Sequence, residues 1–374
     1  MDKSTKTIIA LAVVLIVIIG GYFMFKGPSQ PTSTEPIKIG LSSPMSGEAA
    51  SYGEGFYGGA ALAVKEINDA GGVNGRNIEL VVEDDKCAPE SGVSAMTKLT
   101  SIDKVVAVVG PMCSAAAGAS VSIAQSAGIP TLITASAPGL TKAGNYIFRN
   151  YPSDSYQGKF SAEFIYNKLG KKKAAIIYVR NDWGQGINDT FVSRFKELGG
   201  QIVSDEGILQ TATDLRTQIA KAKAASPDVL LLPIYHQNAM AGLKQIKNAA
   251  FNVPIIAGDV FMDDSLLKLP EAAGIILVMS KTNNPTDFQD KVKQVSGKTP
   301  NGFTPYAYDA VKTLAQVIGK VGTDPKAIMS ELSKTSFKGS VAVPVVEFGA
   351  DRELKTVAFD VKVIKDGKSV EYAQ

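Results

Sequence analysis

A chain of 374 residues is too long for one ordinary hydrophobic core, so two domains are expected. The 39 basic and 36 acidic residues are spread along the chain rather than clustered, which excludes the basic footprint of a nucleic-acid-binding protein. One histidine and two cysteines exclude metal sites built from Cys/His clusters and leave no obvious catalytic triad. No nucleophile–base pair stands out, so neither an enzyme nor a cofactor is expected.

The N-terminus indicates the compartment. Ile8–Phe25 is a run of eighteen residues without a charge, and Lys26 ends it. This length is at the low end for a spanning helix and above that of a usual signal-peptide core, and no small-x-small cleavage site follows. Residues 1–26 are therefore interpreted as an uncleaved membrane anchor, with a cleaved signal as the alternative. The polar, proline-rich residues 27–36 are a predicted linker, and the rest of the chain is expected outside the cytoplasm.

From Ile37 onwards, apolar strand-like runs alternate with helical patterns. The predicted strands are Ile37–Ser42, Ile78–Val82, Val105–Val109 and Thr131–Thr134, and the predicted helices are Phe56–Ile67, Ser91–Ile102 and Ser114–Ala127. This alternation predicts an α/β fold with a parallel sheet and helices on both faces. Ser114 stands at the expected N-cap after a buried strand. It is either a plain cap or part of an anion site, since the N–H groups of a helix N-terminus attract anions.

The same alternation starts again near Asn150. The later predicted helices are Ser155–Leu169, Trp183–Leu198, Leu215–Ala225, Asn238–Ala250, Tyr306–Val321 and Pro325–Leu332. The later predicted strands are Ala174–Val179, one from Gln201, Val229–Leu232, Ile255–Ala257 and Gly274–Met279, followed by the β-rich pieces Val343–Phe348 and Val357–Ile364. The sequence therefore predicts two similar α/β lobes after the anchor.

Several side chains follow these strands at the sheet edge where ligands sit in open α/β folds. Asp259 comes just after a strand and is either a partner for a ligand's ammonium group or a solvated loop acid. Tyr235 can offer a ring or a hydroxyl, and Trp183 and Tyr52 can wall a pocket or pack in the core. His236 has no evident partner and is interpreted as a surface residue or a neighbour of the site, not as a base.

Two motif matches are weak. Gly53–Gly58 fits the pattern GxGxxG, but about ten residues separate it from the preceding strand, so the match is interpreted as accidental. Asn188-Asp189-Thr190 is a three-residue glycosylation sequon of low specificity.

The two cysteines, Cys87 and Cys113, follow two strands that end at the same edge of one sheet. Outside the cytoplasm they can pair, and closing a loop of about 27 residues would stabilise the fold by roughly 3–4 kcal/mol. Two buried free thiols are the alternative.

A long stretch of the chain resembles a known protein family. YGEGFYGGAALAVKEINDAGGVNGRNIELVVEDD (Tyr52–Asp85) resembles the N-terminal signature of the leucine/isoleucine/valine-type solute-binding proteins of ABC importers. Further matches are the cysteine pair, GPMCSAAAG, TASAPGLT (Thr134–Thr141), the loop Asp182–Gly186, Tyr235-His236 and Gly258-Asp259. The resemblance runs from about Ile37 to the C-terminus.

The resemblance implies a type I periplasmic-binding-protein fold, in which two Rossmann-like lobes are joined by three hinge crossings. The crossings would fall near Pro152, Asn284 and Ala342. Residues 37–152 and 284–342 would then form the N-lobe, and residues 153–283 and 343–374 the C-lobe, with the ligand in the cleft between them.

The resemblance also implies roles for the site residues. Ser114 and Ser136, with nearby backbone N–H groups, would hold the α-carboxylate of an amino acid. The carbonyl at Thr134, the hydroxyl of Tyr235 and the carboxylate of Asp259 would hold the α-ammonium group. The residues expected around the ligand's side chain are Tyr52, Met112, Cys113, Trp183 and Phe303.

The expected function is capture of an apolar, branched-chain amino acid outside the cell and its delivery to an ABC permease. Loss of the ammonium group would leave Asp259 without a partner, so oxo acids should be rejected. Asp259 and Trp183 stand where the family usually has glutamate and often tyrosine, so the preferred side chain stays open. The alternatives are the same fold binding an amide, urea or an organic or aromatic acid, and a tethered ligand sensor.

Overall fold

The computed structural model describes residues 35–283 and 285–373. The strands are β1 (Ile37–Ser43), β2 (Ile78–Asp84), β3 (Ala107–Val109), β4 (Thr131–Ile133), β5 (Ile147–Arg149), β6 (Lys173–Val179), β7 (Gln201–Ile208), β8 (Val229–Leu231), β9 (Ile255–Ala257), β10 (Ile276–Ser280), β11 (Ser336–Phe337), β12 (Val346–Glu347), β13 (Phe359–Lys365) and β14 (Lys368–Glu371). The α-helices are α1 (Ala50–Asp69), α2 (Pro89–Thr97), α3 (Ser114–Ala127), α4 (Asp154–Glu163), α5 (Asp182–Glu197), α6 (Arg216–Ala224), α7 (His236–Asn248), α8 (Asp264–Leu267), α9 (Thr286–Ser296), α10 (Thr304–Val321) and α11 (Pro325–Leu332).

The first sheet has the order β2-β1-β3-β4-β5, and every pairing in it is parallel. Its central strand β3 is fully buried, as the continuous apolar run predicts, although it begins at Ala107 rather than Val105. Strand β5 is missing from the sequence prediction because three residues are too few to show a periodic pattern.

The second sheet repeats this arrangement. Its strands β7-β6-β8-β9-β10 have the same relative order and are parallel, and β13 and β14 extend the edge in antiparallel fashion. In both sheets the chain order reverses beside the first strand, and ligands of open α/β sheets bind at the carboxyl ends of the strands next to such a reversal. The predicted α/β fold with two parallel-sheet lobes is therefore confirmed.

The chain passes from lobe to lobe after β5, where α4 packs on α5 and β10, and returns after β10, where α9 and α10 pack on α1. Asn284, expected at the second crossing, lies outside the described residues.

The last passage comes later than Ala342. The Phe348 ring contacts the Phe148 ring of β5 at 5.2 Å, and the Arg149 N–H donates to the Arg352 carbonyl at 2.9 Å. The chain reaches the second sheet only at Phe359. The apolar run that suggested a strand of the second lobe instead packs on the core of the first.

The GxGxxG pattern falls inside helix α1, so it forms no phosphate-binding loop. A Cβ atom at Gly53 would lie 1.9 Å from the Pro44 carbonyl oxygen, and one at Gly59 would lie 2.0 Å from that of Thr304. These glycines allow α1 to pack directly against backbone.

The glycosylation sequon is also not a surface feature. The side chain of Asn188 is buried, with 3% of its surface exposed, and its Nδ2 lies 3.3 Å from Asp205 Oδ1. A glycan cannot be attached there in the folded protein.

The predicted anchor, residues 1–26, lies outside the described residues, as does all but the end of the predicted linker, residues 27–36. Within residues 35–283 and 285–373, no helix is both long and apolar enough to cross a membrane. In the same part of the chain, no group of three or more His, Cys, Asp or Glu residues is arranged to hold a metal ion.

Candidate functional site

A cavity lies where the carboxyl ends of the two sheets face each other. It contains about 600 Å³ of empty space, part of it open to solvent. Its lining includes every residue that the sequence singles out as ligand-binding: Tyr52, Met112, Cys113, Ser114, Thr134, Ser136, Trp183, Tyr235, Asp259 and Phe303. The remaining lining residues are Ala49, Cys87, Tyr151, Gln157 and Val260.

Helix α3 presents its N-terminus to this cavity. Ser114 is the first helical residue, and Cys113 occupies the N-cap position without a capping side chain. The Ser114 hydroxyl accepts a hydrogen bond from the Ala137 N–H at 3.1 Å, so it ties the helix to the next loop and is not the cap predicted for this helix. The first-turn N–H groups therefore stay uncapped, which is the arrangement that binds anions.

The predicted disulfide joins Cys87 and Cys113, with their Cα atoms 5.2 Å apart. Both cysteines line the cavity, so the bond fixes the start of α3 to the end of β2 at the site itself. On the β2 side, the buried Asp85 carboxylate accepts from the Cys87 N–H at 2.9 Å and from the Ser42 hydroxyl at 2.8 Å. Burial raises the pKa of Asp85 to about 6 despite these two donors.

The loop after β4, which carries Thr134 and Ser136, is hydrogen-bonded to a buried guanidinium group. Arg149 is fully buried and donates to the carbonyls of Ala135 and Ala137 at 2.8 and 2.7 Å. Its Nε lies 2.8 Å from a carboxylate oxygen of Glu353, which balances the buried charge. This pair fixes the backbone that faces a ligand. Burial raises the pKa of Glu353, because it outweighs the attraction of Arg149.

The opposite wall is a network of side chains on the second lobe. Trp183 stacks on Tyr235, with ring centroids 4.7 Å apart. Asn181, the N-cap of α5, donates to the Tyr235 hydroxyl at 3.2 Å, and the Tyr235 N–H donates to the buried Asn238 at 3.1 Å. Burial raises the pKa of Tyr235 to about 12, so its phenol stays neutral at ordinary pH.

Asp259 lies just after β9, as predicted, and is half-buried among hydrogen-bond donors. Its Oδ2 accepts from the Tyr151 hydroxyl at 2.8 Å, and its Oδ1 accepts from the Ser280 N–H at 3.2 Å. Burial raises the pKa of Asp259 to about 6, although both hydrogen bonds oppose the shift.

Aromatic rings complete the cavity. Phe303 packs edge-on against Tyr52 at 6.1 Å and in a tilted arrangement against Tyr151 at 5.4 Å. The Tyr52 hydroxyl donates to the Val260 carbonyl at 3.2 Å, which links α1 of the first lobe to the loop after β9 of the second. His236 does not line this cavity: its Nε2 lies 2.6 Å from the Ser265 hydroxyl, consistent with a neighbour of the site.

Tyr151 and Gln157 are the polar side chains of the lining that sequence reasoning missed. Tyr151 follows β5, the strand that was not predicted, and so no edge position pointed to it. Gln157 lies in the first turns of α4 and donates to the Val278 carbonyl at 2.9 Å. Both residues lie close to the expected crossing at Pro152 and to the start of the predicted helix Ser155–Leu169. This position between the lobes was the sequence signal that could have pointed to them.

A model of one protein family, described as periplasmic binding protein, matches residues 36–368. The chain belongs to the periplasmic binding protein family. Members of this family serve as solute-binding proteins of ABC transporters and are not enzymes. The chain is thus an extracytoplasmic solute-binding protein.

Individual proteins similar to this chain are also solute-binding proteins. The chain is 29% identical over 352 residues to the leucine-, isoleucine-, valine-, threonine-, and alanine-binding protein of Pseudomonas aeruginosa, covering 90% of this chain and 91% of the relative. The crystal structure of LivJ from Streptococcus pneumoniae in complex with isoleucine is 32% identical, with a TM-score of 0.79 over 89% of this chain and 97% of that one. A solute-binding protein from R. palustris in complex with benzoate is 25% identical, with a TM-score of 0.80 over 90% of this chain and 95% of that one.

Proposed function

We propose that this binding protein captures an apolar, branched-chain amino acid in the interlobe cavity and delivers it to an ABC permease. The observation that carries the proposal is the pairing of two opposite features in one cavity: the uncapped N-terminus of α3 and the half-buried carboxylate of Asp259. A helix N-terminus favours an anion and a buried carboxylate favours a cation, so the two ends of a zwitterion each have a partner.

In this proposal the α-carboxylate is bound by the first-turn N–H groups of α3, the Ser114 hydroxyl and the loop at Ser136. The ammonium group is bound by Asp259, the Tyr235 hydroxyl and the Thr134 carbonyl. Each charge-assisted hydrogen bond contributes about 1.5–3 kcal/mol, so the zwitterion supplies much of the affinity.

The ligand's side chain would lie among Tyr52, Met112, Cys113, Trp183 and Phe303. Burial of apolar area against these side chains stabilises the complex by roughly 25 cal/mol per Å² and sets the preference among amino acids. Isoleucine is the ligand in the Streptococcus relative and benzoate in the R. palustris relative, and both carry a carboxylate. The ligands of these relatives therefore support the proposed carboxylate site more directly than the proposed ammonium site.

Binding would proceed by hinge closure. The ligand meets the first lobe through its carboxylate, and the second lobe then closes over the ammonium group with Tyr235 and Asp259. The Tyr52–Val260 hydrogen bond joins the two lobes in the closed arrangement. We further propose that residues 1–26 hold the protein at the outer face of the cell membrane, near its permease.

A thermal-shift titration tests the proposal. The full-length protein, freed of carried-over ligand by unfolding and refolding, is titrated with the standard amino acids. At a hundredfold excess over Kd a ligand adds about 2.7 kcal/mol of stability, which raises Tm by several degrees. Leucine, isoleucine and valine should each produce this shift.

Leucinamide is the matched control, because it keeps the ammonium group and side chain but lacks the carboxylate. It should produce no comparable shift. If none of the amino acids raises Tm, the amino-acid proposal is wrong, and the search moves to amides, urea and organic acids.

A further inference from the structure

The contacts of Asp259 bear on which ligands the site accepts. Each of its carboxylate oxygens accepts a hydrogen bond from the protein: Oδ2 from the Tyr151 hydroxyl at 2.8 Å and Oδ1 from the Ser280 N–H at 3.2 Å. A buried carboxylate is costly when it has no donor, and far less so when it has two. Asp259 therefore has partners of its own before any ammonium group arrives.

This arrangement contradicts the premise behind the expected rejection of oxo acids. A site rejects an analogue that lacks an amino group when the analogue leaves a buried acceptor without a donor. Here the analogue would leave Asp259 with both of its protein donors in place.

We propose that the cavity binds carboxylates without an amino group, such as 2-oxo acids, as well as amino acids, and that Tyr151 is the specificity-determining residue that permits this. The inference deepens the proposed function, on which it rests for the placement of the carboxylate at α3. Tyr151 acts on Asp259, which would otherwise bind the ligand's ammonium group.

Tyr151 is well placed for this role. It is buried, lines the cavity and is clamped between the rings of Phe303 at 5.4 Å and Tyr306 at 4.7 Å. The Ser280 hydroxyl donates to the Tyr151 oxygen at 3.4 Å, so the Tyr151 proton is free to point at Asp259. Burial raises the pKa of the Tyr151 phenol well above its usual range, which keeps it a donor at every physiological pH.

The test compares leucine with its oxo acid, 4-methyl-2-oxopentanoate, by isothermal titration calorimetry on the full-length protein. The wild type should bind the oxo acid with a Kd no more than about a hundredfold weaker than that of leucine, since the lost ammonium contacts weaken binding but leave no acceptor of Asp259 without a donor. In Tyr151→Phe, the oxo acid leaves Asp259 with one donor, whereas leucine brings a donor of its own. The ratio of the oxo-acid Kd to the leucine Kd should rise about tenfold or more.

Tyr306→Phe is the matched control. It removes a second buried phenol hydroxyl from the same aromatic cluster, but Tyr306 does not line the cavity and makes no hydrogen bond to Asp259 among the described residues. Its Kd ratio should stay within about twofold of the wild-type value.

The outcomes separate the two proposals. Tight leucine binding with an oxo-acid Kd a thousandfold weaker overturns this inference and leaves the proposed function intact. Oxo-acid binding without leucine binding supports the acceptance of carboxylates that lack an amino group and overturns the amino-acid proposal. An equal loss of both ligands in Tyr151→Phe shows that Tyr151 does not control the selection.

A second measurement needs only the wild type. The titratable groups that face Asp259 are the phenols of Tyr151 and Tyr306 and the buried carboxyl of Asp154, which in turn faces Arg149. Burial raises the pKa of Asp259 to about 6, and a proton there removes a negative charge that opposes an anionic ligand. Oxo-acid affinity should therefore increase severalfold from pH 8 to pH 6, while leucine affinity should not increase. Parallel pH profiles for the two ligands would contradict the inference.

Discussion

The two walls of the ligand cavity are built differently. In the proposed binding mode, recognition on the first lobe rests on backbone: the uncapped N-terminus of α3 and the loop after β4. That backbone is fixed by the Cys87–Cys113 disulfide and by the fully buried Arg149. On the second lobe, the proposed recognition rests on side chains, chiefly Tyr235 and Asp259, which are positioned by hydrogen bonds to other side chains as well as to backbone.

Because of this difference, we expect the two walls to contribute differently to affinity and to selectivity. A backbone site for a carboxylate is the same for every ligand that carries one, because no side chain needs to change its rotamer. A wall of hydrogen-bonded side chains changes with single substitutions. We therefore expect changes on the first lobe to affect all ligands alike, and changes on the second lobe to alter selectivity.

The largest effect is expected from Arg149→Met. It removes two hydrogen bonds to the loop carbonyls and leaves Glu353 as an unpaired, mostly buried charge, which costs about 3–5 kcal/mol. Tm should fall by roughly 6 °C or more, and the affinities for leucine and its oxo acid should fall by the same factor. Thermal unfolding and calorimetry check both points.

Lys142→Met is the control, because it removes an exposed positive charge close to the same loop. It should leave Tm and both affinities nearly unchanged. A selective loss of one ligand in Arg149→Met would break the proposed division between the walls.

An intermediate effect is expected from Asp259→Asn. Replacing the carboxylate with a neutral amide should weaken leucine binding at pH 7 by about tenfold to a hundredfold, since one charge-assisted hydrogen bond is worth about 1.5–3 kcal/mol. Calorimetry measures this loss. Undiminished leucine affinity would remove Asp259 from the ammonium site.

The same variant carries a pH signature in its stability. Burial raises the pKa of Asp259 from 3.8 to about 6, so the folded state holds this proton more tightly than the unfolded chain. The wild-type carboxyl group therefore costs stability as pH rises from about 4 to about 6, up to about 3 kcal/mol above that range. The Tm of Asp259→Asn relative to wild type should rise over this interval and then stay level; a difference independent of pH would contradict the assignment.

The smallest effect is expected from Tyr52→Phe. It removes the hydrogen bond to the Val260 carbonyl that joins the lobes but keeps the ring that lines the cavity. A hydrogen bond of this kind contributes about 0.5–1.5 kcal/mol, so leucine and oxo acid should both dissociate about threefold to tenfold faster. Stopped-flow displacement measures the two rates, and a change in their ratio would show that Tyr52 takes part in selection.

Much of this site could be predicted because its residues directly follow buried strands. Ser114, Tyr235 and Asp259 each come after an apolar run, and parallel strands bring such positions to one edge. The Arg149–Glu353 pair could not be predicted, because its members are far apart in sequence and no periodic pattern links them. Tyr151 was missed because the three-residue strand before it carries too little pattern, and its hydrogen bond to Asp259 depends on how the two lobes meet.

The shared strand order of the two sheets has a consequence for the ligand. Corresponding strands of the two lobes are followed by residues that line the cavity: Ser114 follows β3 and Tyr235 follows β8, while Ser136 follows β4 and Asp259 follows β9. The two lobes thus share one strand order, whereas an amino acid has unlike ends. In the proposed binding mode, its orientation is decided by chemistry placed on matching positions, with a helix start on one side and a carboxylate on the other. Two copies of one fold can in this way bind a ligand with unlike ends in a single orientation.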